Sequence, residues 1–157
     1  LKLIEFTTYF DKEYEAEITI GKSSTTYDAE GDIKKISDRK PALKEIKGNV
    51  ESFKGEISQI PPVFSAIKIK GKKAYELARK GKDVKLEPRK VNIKDIKIIS
   101  YKYPHIKVKI KCSKGTYIRS LAHDLGDKLK VGAYLSALKR TKVENLYISY
   151  KKEIDAN

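Results

Sequence analysis

Residues 112–120, Cys-Ser-Lys-Gly-Thr-Tyr-Ile-Arg-Ser, bring hydroxyl groups, a glycine and one arginine to a point where the sequence pattern changes. Before them, apolar residues alternate with lysines over residues 106–112, which is the period of a strand. After them, apolar residues return at helical spacing as far as Leu129. A helix that starts near Gly115 offers unpaired backbone N–H groups, and Arg119 follows in its first turn. The stretch therefore predicts a strand-to-helix junction that can hold a phosphate or another anion.

Arg119 itself has two interpretations. On a basic protein, an arginine is often an ordinary surface residue. However, a cation in the first turn opposes the helix dipole, which favours an anion or a carboxylate beside it. A guanidinium can bind such a partner through two parallel hydrogen bonds, so we take Arg119 as a candidate functional residue.

Tyr14, Asp28 and Glu30 are further candidates with ordinary alternatives. Tyr14 falls on the apolar side of an alternating segment, where it is either a core tyrosine or an aromatic platform for a nucleic-acid base. Asp28 and Glu30 are two apart in a hydroxyl-rich stretch, and two carboxylates can divide acid and base work. An Asp-X-Glu-Gly sequence is far more often a turn, which is the interpretation we favour from composition.

Lys68 belongs to a group of lysines around a Gly-Lys-Lys turn. With Lys70, Lys72 and Lys73, it is interpreted equally well as a phosphate-contacting patch or as a solvated face. The sequence contains no P-loop, no Gly-X-Gly-X-X-Gly, no nucleophile elbow and no Cys–His pairing.

The segments that must position these residues alternate between strand and helix patterns. Residues 12–20 predict a half-buried strand that ends at Gly21, and residues 23–32 predict a loop. Pro41 is predicted to open a helix that runs to Val50, and residues 55–63 are predicted to be extended because Pro61 and Pro62 exclude a helix.

The second half of the chain continues the alternation. Residues 64–70 predict a strand with Ile67 and Ile69 buried, followed by a short helix over residues 74–80. Residues 89–101 predict a strand with a bulge near Ile98 and Ile99, which forms a hairpin with residues 106–112 through Pro104. A helix is predicted over residues 116–129, residues 133–141 are ambiguous between helix and strand, and residues 146–150 form a last apolar segment. The fold class is α+β, a mixed and mostly antiparallel sheet with packed helices.

Composition restricts the partners. The 157 residues carry a net charge of +14, which favours a polyanion, with nucleic acid ahead of an acidic membrane surface. No segment approaches the roughly 20 apolar residues of a membrane span, and no signal peptide is recognisable. Cys112 cannot form an internal disulfide and is interpreted as a small core residue. Only two histidines occur and no metal-ligand spacing is evident, so we expect no zinc site.

Several stretches together resemble the TruB-type tRNA pseudouridine synthases. The most specific are Pro-Pro-Val-Phe-Ser-Ala-Ile-Lys at residues 61–68 and Cys-Ser-Lys-Gly-Thr-Tyr-Ile-Arg at residues 112–119. The others are Lys-Glu-Tyr-Glu-Ala at 12–16, Thr-Thr-Tyr-Asp-Ala-Glu-Gly at 25–31, Gln-Ile at 59–60, Gly71 with 75–81, Arg-Lys-Val at 89–91, Asp-Leu-Gly at 124–126 and Leu-Lys-Arg-Thr at 138–141. The matches keep the family's order and cover nearly the whole chain.

This resemblance implies an activity. Such enzymes isomerise uridine-55 in the T arm of tRNA to pseudouridine, by flipping the base out and rejoining it to the ribose through carbon instead of nitrogen. No cofactor and no metal are implied. The partner is the T-arm stem-loop of tRNA, the location is the cytoplasm, and no membrane is involved.

The resemblance also assigns residues. Arg119 matches the arginine that pairs with the catalytic aspartate, and Tyr14 matches the tyrosine that stacks on the flipped base. Leu138 matches a leucine that lines the pocket. Lys114, Gly115 and Thr116 match the turn that supports the arginine. Tyr14, Leu138, Lys114, Thr116, Tyr117 and Lys68 form the substrate-binding set that the resemblance implies.

One part of the family pattern has no match. The nucleophilic aspartate lies in a Gly-X-Leu-Asp-Pro motif ahead of the tyrosine, and no such motif occurs in residues 1–157. Residues 1–157 therefore resemble part of a pseudouridine synthase catalytic domain, with no separate second domain. The missing segment could be a separate chain, and the alternative is an RNA-binding fragment that is inactive alone. We accordingly expect Arg119 to have no strong partner from within the catalytic pocket in residues 1–157.

Overall fold

The computed structural model describes residues 11–62, 68–69, 72–73 and 87–143, of which 68–69, 72–73 and 142–143 are described by their backbone. The predictions for residues 64–67, 74–80 and 146–150, and for the burial of Ile67 and Ile69, fall outside this description.

A five-stranded sheet forms the centre of the described chain. Its strands are β1 (Lys12–Ile20), β4 (Gly55–Gln59), β7 (Arg89–Lys102), β8 (His105–Cys112) and β9 (Ala133–Val143). They lie side by side in the order β4-β7-β8-β1-β9. Neighbouring strands all pair antiparallel. The described residues also form two separate two-stranded ribbons. In one, β2 (Lys22–Ser24) pairs with β3 (Ile33–Lys35), and in the other, β5 (Lys68–Ile69) pairs with β6 (Lys72–Lys73). The expected α+β class is confirmed.

Two helices, α1 (Leu43–Glu51) and α2 (Ile118–Leu129), contribute their apolar sides to one core with the sheet. Ile46 and Val50 of α1 and Leu121 and Leu125 of α2 are almost fully buried there. Burial of one such aliphatic side chain stabilises the fold by about 2 kcal/mol. Neither helix in the described part of the chain combines the length and apolar character that crossing a membrane would need.

The alternation that predicted β1 and β8 has a direct structural counterpart. Ala16, Ile18 and Ile20 face the core, while glutamates of β1 lie opposite lysines of β8 on the other face, in the pairs Glu13 with Lys111, Glu15 with Lys109 and Glu17 with Lys107. Opposite charges directly across an antiparallel pair are favourable. The buried Cys112 confirms the interpretation of this thiol as a core residue.

Some predicted boundaries are wrong by one or two residues. Helix α1 begins at Leu43 rather than Pro41, since Ala42 is extended and the Pro41 carbonyl accepts a hydrogen bond from the Tyr101 hydroxyl at 2.8 Å. Helix α2 begins at Ile118 rather than Thr116, since Tyr117 is extended. The predicted bulge is confirmed as a register shift of β7 against β8 between Ile98 and Ser100.

Candidate active site

The turn between β8 and α2 aims the start of the helix. Thr116 Oγ1 donates a hydrogen bond to the Ser113 carbonyl at 2.8 Å, and Gly115 has a φ of 83°, a left-handed conformation that glycine adopts without strain. Ser113 is tied in turn to β7, because its N–H donates to the Asn92 carbonyl and its Oγ accepts from the Asn92 N–H, both at 2.9 Å. The turn is therefore held by both strands of the hairpin.

Gln59 holds the first turn of α2 from the other side. Its side-chain oxygen accepts the Tyr117 N–H at 3.0 Å, and its side-chain nitrogen donates to the Tyr117 carbonyl at 3.0 Å. Gln59 is fully buried, so this reciprocal pair satisfies both groups away from water. The Ser120 hydroxyl adds a bond to the Ile60 carbonyl at 2.7 Å. The last residue of β4 and the residue after it thus hold Tyr117 and Ser120, which lie on either side of Arg119.

Arg119 lies beside a carboxylate of this chain. Its Nη1 is 3.6 Å from Asp28 Oδ2 and donates a hydrogen bond to the Thr26 carbonyl at 3.3 Å. Both side chains are one-quarter exposed, which makes the pair less screened than a surface ion pair. We expected no strong partner for Arg119 within the catalytic pocket, whereas the structure places the Asp28 carboxylate and the Thr26 carbonyl beside it. The reason is that the loop of residues 25–32, which follows β1 and β2, folds back over the start of α2.

Asp28 has two tasks in this loop. Its Oδ1 accepts hydrogen bonds from Thr26 Oγ1 at 2.5 Å and from the Glu30 N–H at 3.0 Å, which is the turn that the Asp-X-Glu-Gly sequence predicted. Its Oδ2 faces Arg119. Main-chain pairing with Leu135 also anchors Asp28 beside the start of β9. Because one oxygen makes the turn and the other faces the guanidinium, the contacts give Asp28 a positioning role.

Tyr14 and Leu138 share one face of the β1–β9 pair. Tyr14 is half-buried, packs against the core and lies opposite Arg140, whose Nη2 donates to the tyrosine hydroxyl at 3.2 Å. Leu138 lies opposite Ala16 and is 47% exposed. Since Ala16 faces the core to which α2 contributes, Tyr14 and Leu138 border the sheet face on which α2 packs.

The remaining candidates surround the turn before α2. Lys114 is exposed, and Thr116 is half-buried with its hydroxyl occupied by Ser113. The ring of Tyr117 is 5.7 Å from the Arg89 guanidinium carbon, which lies over it. The backbone of Lys68 pairs with that of Lys73, so Lys72 and Lys73 lie in strand β6 rather than in the predicted Gly-Lys-Lys turn. The Lys68 side chain lies outside the described part.

Sequence reasoning missed three residues that the structure brings to this site. Gln59 was noticed only as part of a motif, and neither Tyr27 nor His123 was singled out, yet their rings stack at 3.9 Å. Helical spacing could have flagged His123, which lies one turn after Arg119. Within the described ranges, ligand atoms of His123, Asp124 and Asp127 lie within 4.8 Å of one another, a grouping that the zinc expectation overlooked.

Comparison with known proteins gives the class to which this fold and site belong. Residues 1–118 match the family described as TruB family pseudouridylate synthase (N terminal domain). The chain is similar to tRNA pseudouridine synthase B of Clostridium tetani, with 48% identity over 94% of this chain and 51% of that protein. It is also similar to the protein of the same name from Protochlamydia amoebophila, with 50% identity over 84% of this chain and 50% of that protein.

Solved structures agree on the fold. The crystal structure of a Cbf5-Nop10-Gar1 complex contains a chain that superposes with a TM-score of 0.64 at 24% identity, over 90% of this chain and 33% of that one. The chain belongs to the TruB family of pseudouridylate synthases. It spans about half the length of the curated relatives that it matches.

Proposed function

We propose that the full-length protein is a tRNA pseudouridine synthase that isomerises uridine-55 in the T arm. Family membership and the names of the relatives support the reaction class and tRNA as its substrate. The T-arm position rests on the motif resemblance at residues 61–68 and 112–119. The protein would act in the cytoplasm, where tRNA is modified.

The observation that carries this proposal is the setting of Arg119. It is held at the start of α2 by bonds to the residues on either side of it and lies 3.6 Å from a carboxylate. A guanidinium in this position can hold a second carboxylate against the ribose and keep it ionised, because a nearby positive charge favours the charged form. The nucleophilic carboxylate that the family uses would approach this guanidinium from the segment that precedes Tyr14.

Tyr14 and Leu138 would receive the flipped uracil. The Tyr14 ring offers a face for stacking, and base–aromatic stacking contributes about 1–3 kcal/mol per base. Leu138 would supply an apolar wall next to it, since 47% of this side chain remains exposed on the β1–β9 pair. Lys114, Thr116, Tyr117 and Lys68 would complete the RNA contacts, in keeping with the net charge of +14.

A kinetic comparison of Arg119 variants tests the function. The full-length protein should convert the target uridine of a T-arm stem-loop to pseudouridine, and Arg119→Ala should abolish turnover. Arg119→Lys keeps the charge but not the planar fork and should restore little activity. Arg39→Ala is a matched control, since Arg39 is an exposed arginine whose partners, Glu45 and the Leu129 carbonyl, lie away from the start of α2 where Arg119 is held. Unimpaired turnover by Arg119→Ala would exclude the assigned role.

The substrate proposal is tested separately with RNA. A stem-loop whose target uridine is replaced by cytidine should bind but form no pseudouridine, and uridines elsewhere in the tRNA should stay unmodified. Turnover at a different tRNA position would retain the reaction class and exclude uridine-55.

The alternative of an RNA-binding fragment concerns residues 1–157 alone. Steeply salt-dependent binding of the stem-loop without turnover would support it, because each neutralised phosphate releases counterions.

A further inference from the structure

Tyr27 has a backbone conformation that is uncommon for an aromatic residue. Its φ is 65°, in the left-handed region where asparagine, aspartate and glycine are favoured. Such a conformation persists only where the surrounding contacts hold it in place. The contacts that hold Tyr27 in this conformation therefore indicate its role in the structure.

Three contacts hold Tyr27, two through its main chain and one through its ring. Its N–H donates to the Ser24 carbonyl at 3.2 Å, within the loop itself. Its carbonyl accepts the Leu135 N–H at 2.8 Å, which joins the loop to the start of β9. Its ring lies on the imidazole of His123, with ring centroids 3.9 Å apart and planes only 6° apart. The imidazole is held in turn by Asp127, whose Oδ2 is 3.3 Å from His123 Nε2.

The stack and the Arg119 ion pair form two neighbouring links between the same two elements. Tyr27 and Asp28 are consecutive in the loop, and their partners His123 and Arg119 are four residues apart on α2, hence on one side of the helix. A loop with one such link can pivot about it, whereas two links a helical turn apart fix its orientation.

We propose that the Tyr27–His123 stack is a positioning device that keeps Asp28 against Arg119. This inference rests on the proposed function and adds to it the residues that hold the arginine in its reactive orientation. Tyr27 is a positioning residue: its contacts outside the loop are with His123 and Leu135, and it acts on the reaction through Asp28.

Partial burial of Tyr27 is consistent with this role. Burial raises the pKa of the tyrosine hydroxyl, and the nearby carboxylates of Asp124 and Asp127 raise it further. The phenol therefore stays neutral over the physiological range and adds no charge beside the Arg119–Asp28 pair.

Tyr27→Asn is the most informative variant. Asparagine tolerates positive φ, so the substitution removes the ring while leaving the backbone preference in place. In the full-length protein we expect kcat on the T-arm stem-loop to fall about tenfold or more, with KM changed less than about twofold, because misplaced reacting groups slow the chemical step. Tyr27→Phe retains the stack and should restore kcat. Tyr103→Leu, at a tyrosine far along the chain that is 38% exposed, is the control for loss of a surface ring.

A double-variant comparison separates positioning from general loosening. If Tyr27 acts through Asp28, adding Tyr27→Asn to Asp28→Asn should lower kcat little below that of Asp28→Asn alone. Multiplication of the two effects, or wild-type kcat in Tyr27→Asn, would overturn the proposal. If Tyr27→Asn does not fold, His123→Ala removes the stack from the helix side and is judged by the same criteria.

Amide hydrogen exchange gives a result that does not depend on activity. The Leu135 N–H that bonds to Tyr27 should exchange at least about tenfold faster in Tyr27→Asn than in the wild type, and Tyr27→Phe should leave its exchange unchanged. If the wild-type protein produced no pseudouridine, the proposed function would fail while this exchange result still tested the stack. Equal exchange in the wild type and Tyr27→Asn would show that the ring does not hold the loop.

Discussion

Replacement of Gly126 by alanine is expected to force α2 away from β9. A Cβ at residue 126 would lie 2.2 Å from the Ala133 nitrogen and 2.4 Å from the Gly132 carbonyl carbon. These are backbone atoms, so no change of rotamer relieves the contact. Because close-packed interiors transmit such overlaps, the helix and the strand must separate by about 1 Å.

The energetic effect follows from two opposing contributions. Overpacking of a core costs about 1–3 kcal/mol, and a backbone obstacle places Gly126→Ala at the upper end. Alanine has a higher helix propensity than glycine, which stabilises the variant by about 1 kcal/mol. The expected net loss is about 2 kcal/mol in the free energy of unfolding.

Gly48 provides a matched control within the same fold. It is also a helical glycine, in α1, but a Cβ there meets no atom within 4 Å. Gly48→Ala should therefore stabilise the protein by about 0.5–1 kcal/mol. Urea unfolding of the full-length protein, followed by circular dichroism, should shift in opposite directions for the two variants.

The same pair of variants also tests how the site is assembled. Helix α2 carries Arg119 and β9 carries Leu138, so Gly126→Ala should reduce pseudouridine formation while Gly48→Ala leaves it unchanged. If Gly126→Ala has the stability and turnover of the wild type, then α2 and the start of β9 do not approach each other as closely as described.

Three further predictions concern single side chains. Gln59→Leu leaves the Tyr117 N–H and carbonyl without their partner and should cost about 3 kcal/mol of unfolding free energy, seen by denaturant titration. Gln59→Glu should be least destabilising at acidic pH, where a protonated carboxyl can still donate to the Tyr117 carbonyl. It should become more destabilising as pH rises above the unfolded pKa of about 4.3. A loss of unfolding free energy that does not depend on pH would contradict the reciprocal pair. Asp28→Asn keeps the turn but weakens the pair with Arg119, so kcat should fall about 10- to 100-fold; wild-type kcat in this variant would show that the pair does not support the reaction. Burial raises the pKa of the Asp124 carboxyl, so this group favours folding at low pH and its contribution is lost as pH rises through the folded pKa. Asp124→Asn should therefore raise the melting temperature relative to wild type at pH 7 but not at pH 4, and an equal shift at both values would refute this reasoning.

The regular elements could be predicted wherever one period ran without interruption. β1 and β8 alternate over their full length, and α2 keeps its apolar spacing to Leu129. β9 remained ambiguous because its pairing with β1 shifts register twice, which breaks the alternation. Strand β2 was missed because Ser23 and Ser24 fall in the stretch predicted to be loop, and β3 received no prediction; each strand is only three residues long.

The contacts within the site could not be predicted from local pattern. Asp28 and Arg119 are separated by most of the chain, and only the return of the loop beside Leu135 brings them together. Gln59 likewise reaches Tyr117, 58 residues further along the chain, because the end of β4 lies beside the start of α2. The sequence indicated that Arg119, a cation in the first helical turn, would need an anionic partner. The identity of that partner, Asp28, depends on the tertiary structure.

The position of β1 in the sheet has a consequence for synthesis of the chain. β1 is made early, yet its two neighbours are β8 and β9, which begin at His105 and Ala133. At about 5–20 residues per second, β1 leaves the ribosome on the order of ten seconds before its partners.

During that interval neither of the two strands that flank β1 in the described sheet has been made, so Ile18 and Ile20 lack these neighbours. The glutamates that alternate with them carry like charges along the strand, which disfavours pairing of one nascent β1 with another. The same glutamates later face the lysines of β8, so a single charge pattern opposes association of incomplete chains and then supports the finished sheet.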